Sequence, residues 1–190
     1  MGRIFILVPL TQLLIFQITF SQTPILKAGL NLSTISTSGS AKNNIKPGFY
    51  LGVSTFKSIS NNNLIKAELV YSQQGAKFNS KETATYSYLN MPILLSVGIG
   101  KIVHFDIGPQ VGIILSGIVK GDKKEDITAK LRTLDFSLSS GFTFSLSKAI
   151  KLESRVNYGL SNTVRAPYPG TSRNFVFQAG LQIHFIKEDK

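Results

Sequence analysis

Apolar and polar residues alternate along this chain in runs of roughly ten residues, and the alternation recurs eight times. In the clearest run Leu134, Phe136, Leu138, Ser140, Phe142 and Phe144 interleave with Asp135, Ser137, Ser139, Gly141, Thr143 and Ser145. Residues two apart on a strand share a face, so such a segment has one apolar and one polar side. The pattern predicts strands over Ile25–Thr34, Pro47–Lys57, Leu64–Gln74, Tyr86–Val97, Ile102–Ser116, Leu134–Ser145, Ile150–Ser161 and Asn174–Ile186. Leu26, Ala28, Leu30 and Leu32 share one face of the first strand, against Lys27, Gly29, Asn31 and Ser33. In the fifth, Val103, Phe105, Ile107, Val111, Ile113 and Leu115 oppose His104, Asp106, Gln110 and Ser116. Pro92 lies within the fourth strand and cannot donate to a ladder, which predicts a bulge or a local break there.

The connections alternate in length. Ile35–Lys46, Ala76–Thr85, Gly117–Arg132 and Asn162–Arg173 are long and polar, whereas Ser58–Asn63, Gly98–Lys101 and Ser147–Ala149 are short. Long loops at one rim and tight turns at the other are the signature of an outer-membrane barrel. Gly98, Gly108, Gly112, Gly141, Gly159 and Gly180 fall on the polar faces, where a narrow lumen favours small residues. The fold expected is all-β, an eight-stranded antiparallel up-and-down transmembrane barrel. A soluble periplasmic, lipocalin-like barrel binding a small apolar ligand is the competitor, because the alternation does not say which face points outward.

Composition narrows the classes. Of 190 residues 43% are hydrophobic and 16% charged, too apolar for a disordered chain and too polar for a bundle of membrane helices. There is no cysteine, which excludes disulfides, thiolate metal sites and a lipidated N-terminal Cys. The net charge is +11, but the 21 Lys and Arg are scattered. Nucleic acid is therefore not expected as a partner, and anionic lipid headgroups or lipopolysaccharide are.

The chain opens on Met1-Gly2-Arg3 and an apolar stretch from Ile4 to about Phe16, then Thr19 and Ser21 at the positions before a signal-peptidase cut. This predicts a signal peptide over residues 1–21, cleaved between Ser21 and Gln22, and a barrel domain over residues 22–190. Loss of Arg3 takes the charge from +11 to +10.

Several segments carry a family resemblance: Ala28-Gly29-Leu30-Asn31, Glu68 through Gly75, Tyr88 through Leu95, Gly108-Pro109-Gln110-Val111-Gly112 and Asn157-Tyr158-Gly159-Leu160. In this order and spacing they resemble the PorT-like outer-membrane β-barrel family of Bacteroidota. The resemblance implies fold and location and brings no catalytic residues; the family's namesake is associated with export of proteases through the type IX secretion system. Gln178 through Phe185 also resembles the C-terminal signal read by the barrel-assembly machinery, carried by Gln178, Gly180, Ile183 and Phe185. Here the strand continues into Ile186-Lys187-Glu188-Asp189-Lys190 instead of ending on the aromatic.

Lys66, Glu68, His104, Asp106, Asp135, Lys151, Glu153, Arg155 and His184 are expected to face the lumen as a structural polar network, since unpaired buried charge is costly. An eight-stranded interior is just wide enough to be filled by side chains, which argues against a diffusion pore. No G-x-S-x-G, HExxH or metal-ligand spacing occurs, so neither catalysis nor a cofactor is expected. Asp122-Lys123-Lys124-Glu125-Asp126 reads as a solvated, self-paired loop. Tyr50, Tyr71, Tyr86, Tyr88, Tyr158 and Tyr168 are candidates for an interfacial girdle. The expectation is a non-enzymatic scaffold or interaction protein presenting four loops, supporting secretion or envelope integrity, with an envelope or secretion protein as partner. The alternative is a barrel that binds a ligand through those loops.

Overall fold

The structure is a computed structural model that describes residues 24–37, 43–78, 82–165 and 172–185. The expected signal peptide, its cut after Ser21, and Tyr168 lie outside the described residues. Eight long strands form the wall: β1 (Ile25–Thr37), β2 (Lys46–Ser58), β3 (Asn63–Lys77), β4 (Thr83–Ile99), β5 (Val103–Lys120), β7 (Leu134–Ser145), β8 (Ile150–Gly159) and β9 (Ser172–His184). A short β6 (Lys124–Asp126) and a single 3-10 turn, η1 (Thr128–Lys130), lie between β5 and β7. Each long strand pairs antiparallel with its sequence neighbour, and β1 pairs with β9 from Ile25↔His184 to Thr37↔Ser172. That last ladder closes the sheet on itself and leaves no long unpaired edge.

Closure decides the orientation that alternation leaves open. Leu26, Leu30, Leu51, Leu69, Ile93, Leu138, Phe142, Leu181 and Ile183 are all exposed on the outer wall. Lys27, Asn31, Glu68, Asp106, Glu153 and Arg155 are buried inside. A soluble barrel has the reverse arrangement, so the lipocalin-like alternative falls. An apolar outer face is stable only where the solvent is hydrocarbon, and a closed ladder satisfies its backbone groups without water. Leu138 lies near the middle of β7 and is 44% exposed. We expect Leu138→Arg to cost about 2–4 kcal/mol of folding free energy in lipid. Urea titration of the refolded barrel in vesicles measures it, and a loss no larger than that of an exposed loop substitution would contradict the lipid-facing assignment.

Pro92 breaks the ladder without shifting it: pairing with β3 lapses between Ala67↔Ile93 and Val70↔Asn90 in one constant register. The bulge lies elsewhere, between Ser87 and Tyr88, where Leu115 of β5 is the extra residue. Beyond Leu115 the faces of β5 are reversed, so Gly117 rather than Ser116 pairs with the inward Tyr86, and Ser116, expected on the polar inner face, leaves it. The strands also run further than expected. β3, β4 and β5 have 15, 17 and 18 residues, against the roughly 9–11 needed to span a bilayer. The extra length stands above the belt at the long-loop rim and converts much of the expected loops Ala76–Thr85 and Gly117–Arg132 into wall.

Candidate functional site

The interior is the first place to look for chemistry. Four charges from three strands meet in its short-turn half. Lys27 (β1) donates to Glu68 (β3) and Glu153 (β8), both at 2.8 Å. Arg155 (β8) grips Glu68 with two bonds of 2.7 and 2.9 Å and approaches Glu153 at 3.4 Å. Tyr50 (β2) donates to Glu153 at 2.5 Å and Gln182 (β9) at 2.7 Å. Two cations and two carboxylates balance, and nearly every lone pair has a donor, the condition under which buried charge is tolerated. Two glycines make room: Gly29 and Gly180 are register partners across the β1–β9 seam, and the Tyr50 ring lies over Gly29 and its hydroxyl over Gly180.

A second pair sits beside this cluster. Lys66 (β3) reaches both oxygens of Asp106 (β5) at 2.9 Å, and Thr143 (β7) donates to the same carboxylate at 2.7 Å. His104, Lys151 and His184 do not join it. Their side chains make no hydrogen bond or ion pair with the described residues, and His104 Nδ1 and His184 Nε2 are enclosed without partners. All three stand at strand ends near the short turns and are only half-buried. Six of the nine expected residues (Lys66, Glu68, Asp106, Asp135, Glu153 and Arg155) are therefore divided among separate clusters, and the other three join none.

The long-loop half of the lumen is mostly uncharged. Asn31 donates to Ser72 and to the carbonyls of Phe49 and Gln73, and accepts from Gln178, which also accepts from Asn157. Asp135 (β7) accepts from Tyr88, Ser161 and Asn174. Above it an apolar cluster of Ile35, Ala76, Ala84, Tyr86, Tyr88, Ile114 and Leu131 closes the interior. Leu131 follows η1 and is delivered by the β5–β7 connection, which bridges to Val164 of the β8–β9 connection.

Sequence reasoning missed Lys27, Tyr50, Tyr88 and Asn174 as site residues. The tyrosines were readable by parity: Tyr50, Tyr86 and Tyr88 alternate with outward Phe49, Leu51, Leu89 and Met91, and they point into the lumen instead of forming a girdle. Tyr71 and Tyr158 are on the outer wall. In the expected assembly signal Gln178 and Gly180 face inward, while Ile183 and Phe185 are exposed outward.

The rim that carries the long connections is charged. Lys77, Lys120, Lys123, Lys124, Lys130, Arg132, Arg165 and Arg173 are exposed there, against Glu82, Asp122, Glu125 and Asp126. The Asp122–Asp126 stretch folds back on itself: β6 pairs with Ile118–Lys120, and Lys130 pairs with Glu125 at 2.6 Å. Thr128, through its hydroxyl and its backbone N–H, holds the Asp126 carboxyl below the usual carboxylate range.

Among solved structures the chain is similar to Neisserial surface protein A, with a TM-score of 0.60 at 12% identity over 85% of this chain and 97% of that one. It is similar to Ail, the attachment invasion locus protein of Yersinia pestis, with a TM-score of 0.54 at 12% identity over 86% and 99%. Ail has also been solved in complex with the heparin analogue sucrose octasulfate. No curated protein matches the chain. At such identities the likeness concerns the fold. The sequence itself matches the family described as outer membrane protein beta-barrel domain over residues 22–165, most of its length. With its apolar wall outward and its charges sealed inside, the chain belongs to that outer-membrane family.

Proposed function

We propose that the chain is a non-enzymatic scaffold of the outer membrane whose loop-bearing rim meets an envelope or secretion partner. The filled lumen carries this reading: among the described residues, polar side chains, most of them bonded, and an apolar cap occupy it, with a cavity of about 10 Å³ between them. A solute route has no place in such an interior, so recognition falls to the rim, where loops are free to vary. Export by the signal peptide, insertion through the Gln178, Gly180, Ile183 and Phe185 signal, and service to protein secretion as in the PorT-like family complete the proposal.

The test pairs a conductance measurement with complementation. In planar bilayers the folded protein should show no open-channel steps. A strain lacking the gene should lose cargo release or detergent resistance. A chain whose 121–130 segment is replaced by a Gly-Ser turn should fail to restore it, while His104→Ala and His184→Ala should restore it fully. Steady conductance, or rescue by the loop-replaced chain, would count against a rim-based scaffold.

A second reading has its own observation. Among the described residues, eight exposed cations against four exposed carboxylates at the rim suit a polyanion such as lipopolysaccharide phosphate or a sulfated sugar, the chemistry of the ligand solved with Ail. Retention on a sulfated matrix that falls with salt and with Lys120→Glu/Arg132→Glu would favour it.

A further inference from the structure

Among the described residues two buried charges inside the barrel lack an ion partner, Asp135 and Lys46. Among the described residues four carboxylates are buried: Glu68, Asp106, Asp135 and Glu153. Lys27 and Arg155 neutralise Glu68 and Glu153, and Lys66 neutralises Asp106. Asp135 is 6% exposed and has no cation within ion-pair distance among the described residues. The remaining buried lysine, Lys46, donates to the Pro47 carbonyl instead. An isolated ionised carboxylate in such surroundings is costly, and three neutral donors reduce that cost without supplying charge.

Asp135 borders a polar cavity of about 10 Å³, room for one water-sized body. Asn174 borders it too: it is 5% exposed, its amide nitrogen donates to Tyr88 and Asp135, and its Oδ1 has no hydrogen-bond partner. Asn90 and Gln110 bring further side-chain amides to the same walls. Glycine keeps the space open. Gly112 is the register partner of Asp135, and a Cβ there would come within 2.7 Å of Asn90 Oδ1.

We propose that this cavity is a binding site for one monovalent metal cation, held by Asp135 and Asn174 Oδ1 with amide oxygens completing the shell. One carboxylate matches one positive charge. A divalent ion collects several carboxylates, and no group of three His, Cys, Asp or Glu is gathered among the described residues. The bound ion supplies the counter-charge that Asp135 lacks and ties β7 to β9 beneath the apolar cap.

The experiment uses the full folded barrel in detergent, with its unfolding temperature read from unboiled gel mobility. Solutions of NaCl, KCl, CaCl₂ and choline chloride are compared at equal ionic strength. Na⁺ or K⁺ should raise the midpoint by roughly 5–10 °C over choline at a concentration about 100 times Kd. Asp135→Asn should abolish the difference, and so should Asn174→Ala, which leaves the carboxylate in place. Crystals of the unaltered protein grown in RbCl should show an anomalous peak between Asp135 and Asn174, a readout that needs no variant to fold. Equal midpoints in all four salts with no rubidium peak would overturn the proposal and leave a water beside Asp135. A response to CaCl₂ alone would overturn it as well.

Discussion

Arg155→Met is expected to destabilise the folded barrel by about 3–5 kcal/mol, the cost of stripping the partner from buried charge. The guanidinium makes two bonds to Glu68 and one to Glu153, so its loss leaves two buried carboxylates sharing Lys27. Their mutual repulsion adds to the desolvation that neither can escape inside the wall. Urea titration of the refolded protein in micelles, with folded fraction read from unboiled mobility, gives the figure. The double variant Glu68→Gln/Arg155→Met restores neutrality, because Lys27 and Glu153 remain as a pair, and should recover part of the loss. If the single variant costs no more than an exposed loop substitution, within about 0.5 kcal/mol, the four-charge cluster has no part in holding the strands together.

Gly29→Val should be as damaging by a different route. Gly29 and Gly180 face each other where β1 and β9 close the barrel. A Cβ on Gly29 would meet the Ala179 carbonyl oxygen at 2.2 Å and the Tyr50 ring at 2.7 Å, and one on Gly180 would meet the Ala28 carbonyl oxygen at 2.3 Å. Overpacking in a core costs about 1–3 kcal/mol, and a contact with backbone on a closing seam belongs at or above that range. The seam holds the chain's terminal strands together, so the expected result is loss of most of the heat-modifiable folded form on refolding. The nearest obstacle is main chain, so Tyr50→Phe should not rescue it. A Gly29→Val barrel that folds in full yield would show that the seam has slack the geometry does not display.

Parity along each strand was readable because a pleated strand must alternate, whatever it packs against. It assigned Lys27, Glu68, Asp106, Glu153 and Arg155 to one side and Leu26, Leu69, Ile107, Leu152 and Val156 to the other. The same rule places Tyr50, Tyr86 and Tyr88 inside. Reading them as a girdle set residue type above position, although the hydroxyls of Tyr50 and Tyr88 have buried partners in Glu153 and Asp135. Past Leu115 parity failed, because one extra residue in β5 against β4 reverses every later face. No local pattern announces that bulge, which depends on how two strands meet.

The number of long strands, their faces up to the β5 bulge and the alternation of long and short connections follow from period and composition within each segment. Which face meets lipid is legible only once β1 and β9 close the barrel. The tertiary structure alone decided which charges are partners: Lys27 and Glu68 are 41 residues apart and Glu68 and Arg155 are 87 apart, and they meet across the lumen. It also separated His104, Lys151 and His184 from the network by placing them at the short-turn end, and gave Asp135 no ion-pair partner among the described residues. Local alternation fixes a side chain's direction, while its partner is fixed by the register of the closed barrel, and that register is a property of all eight long strands together.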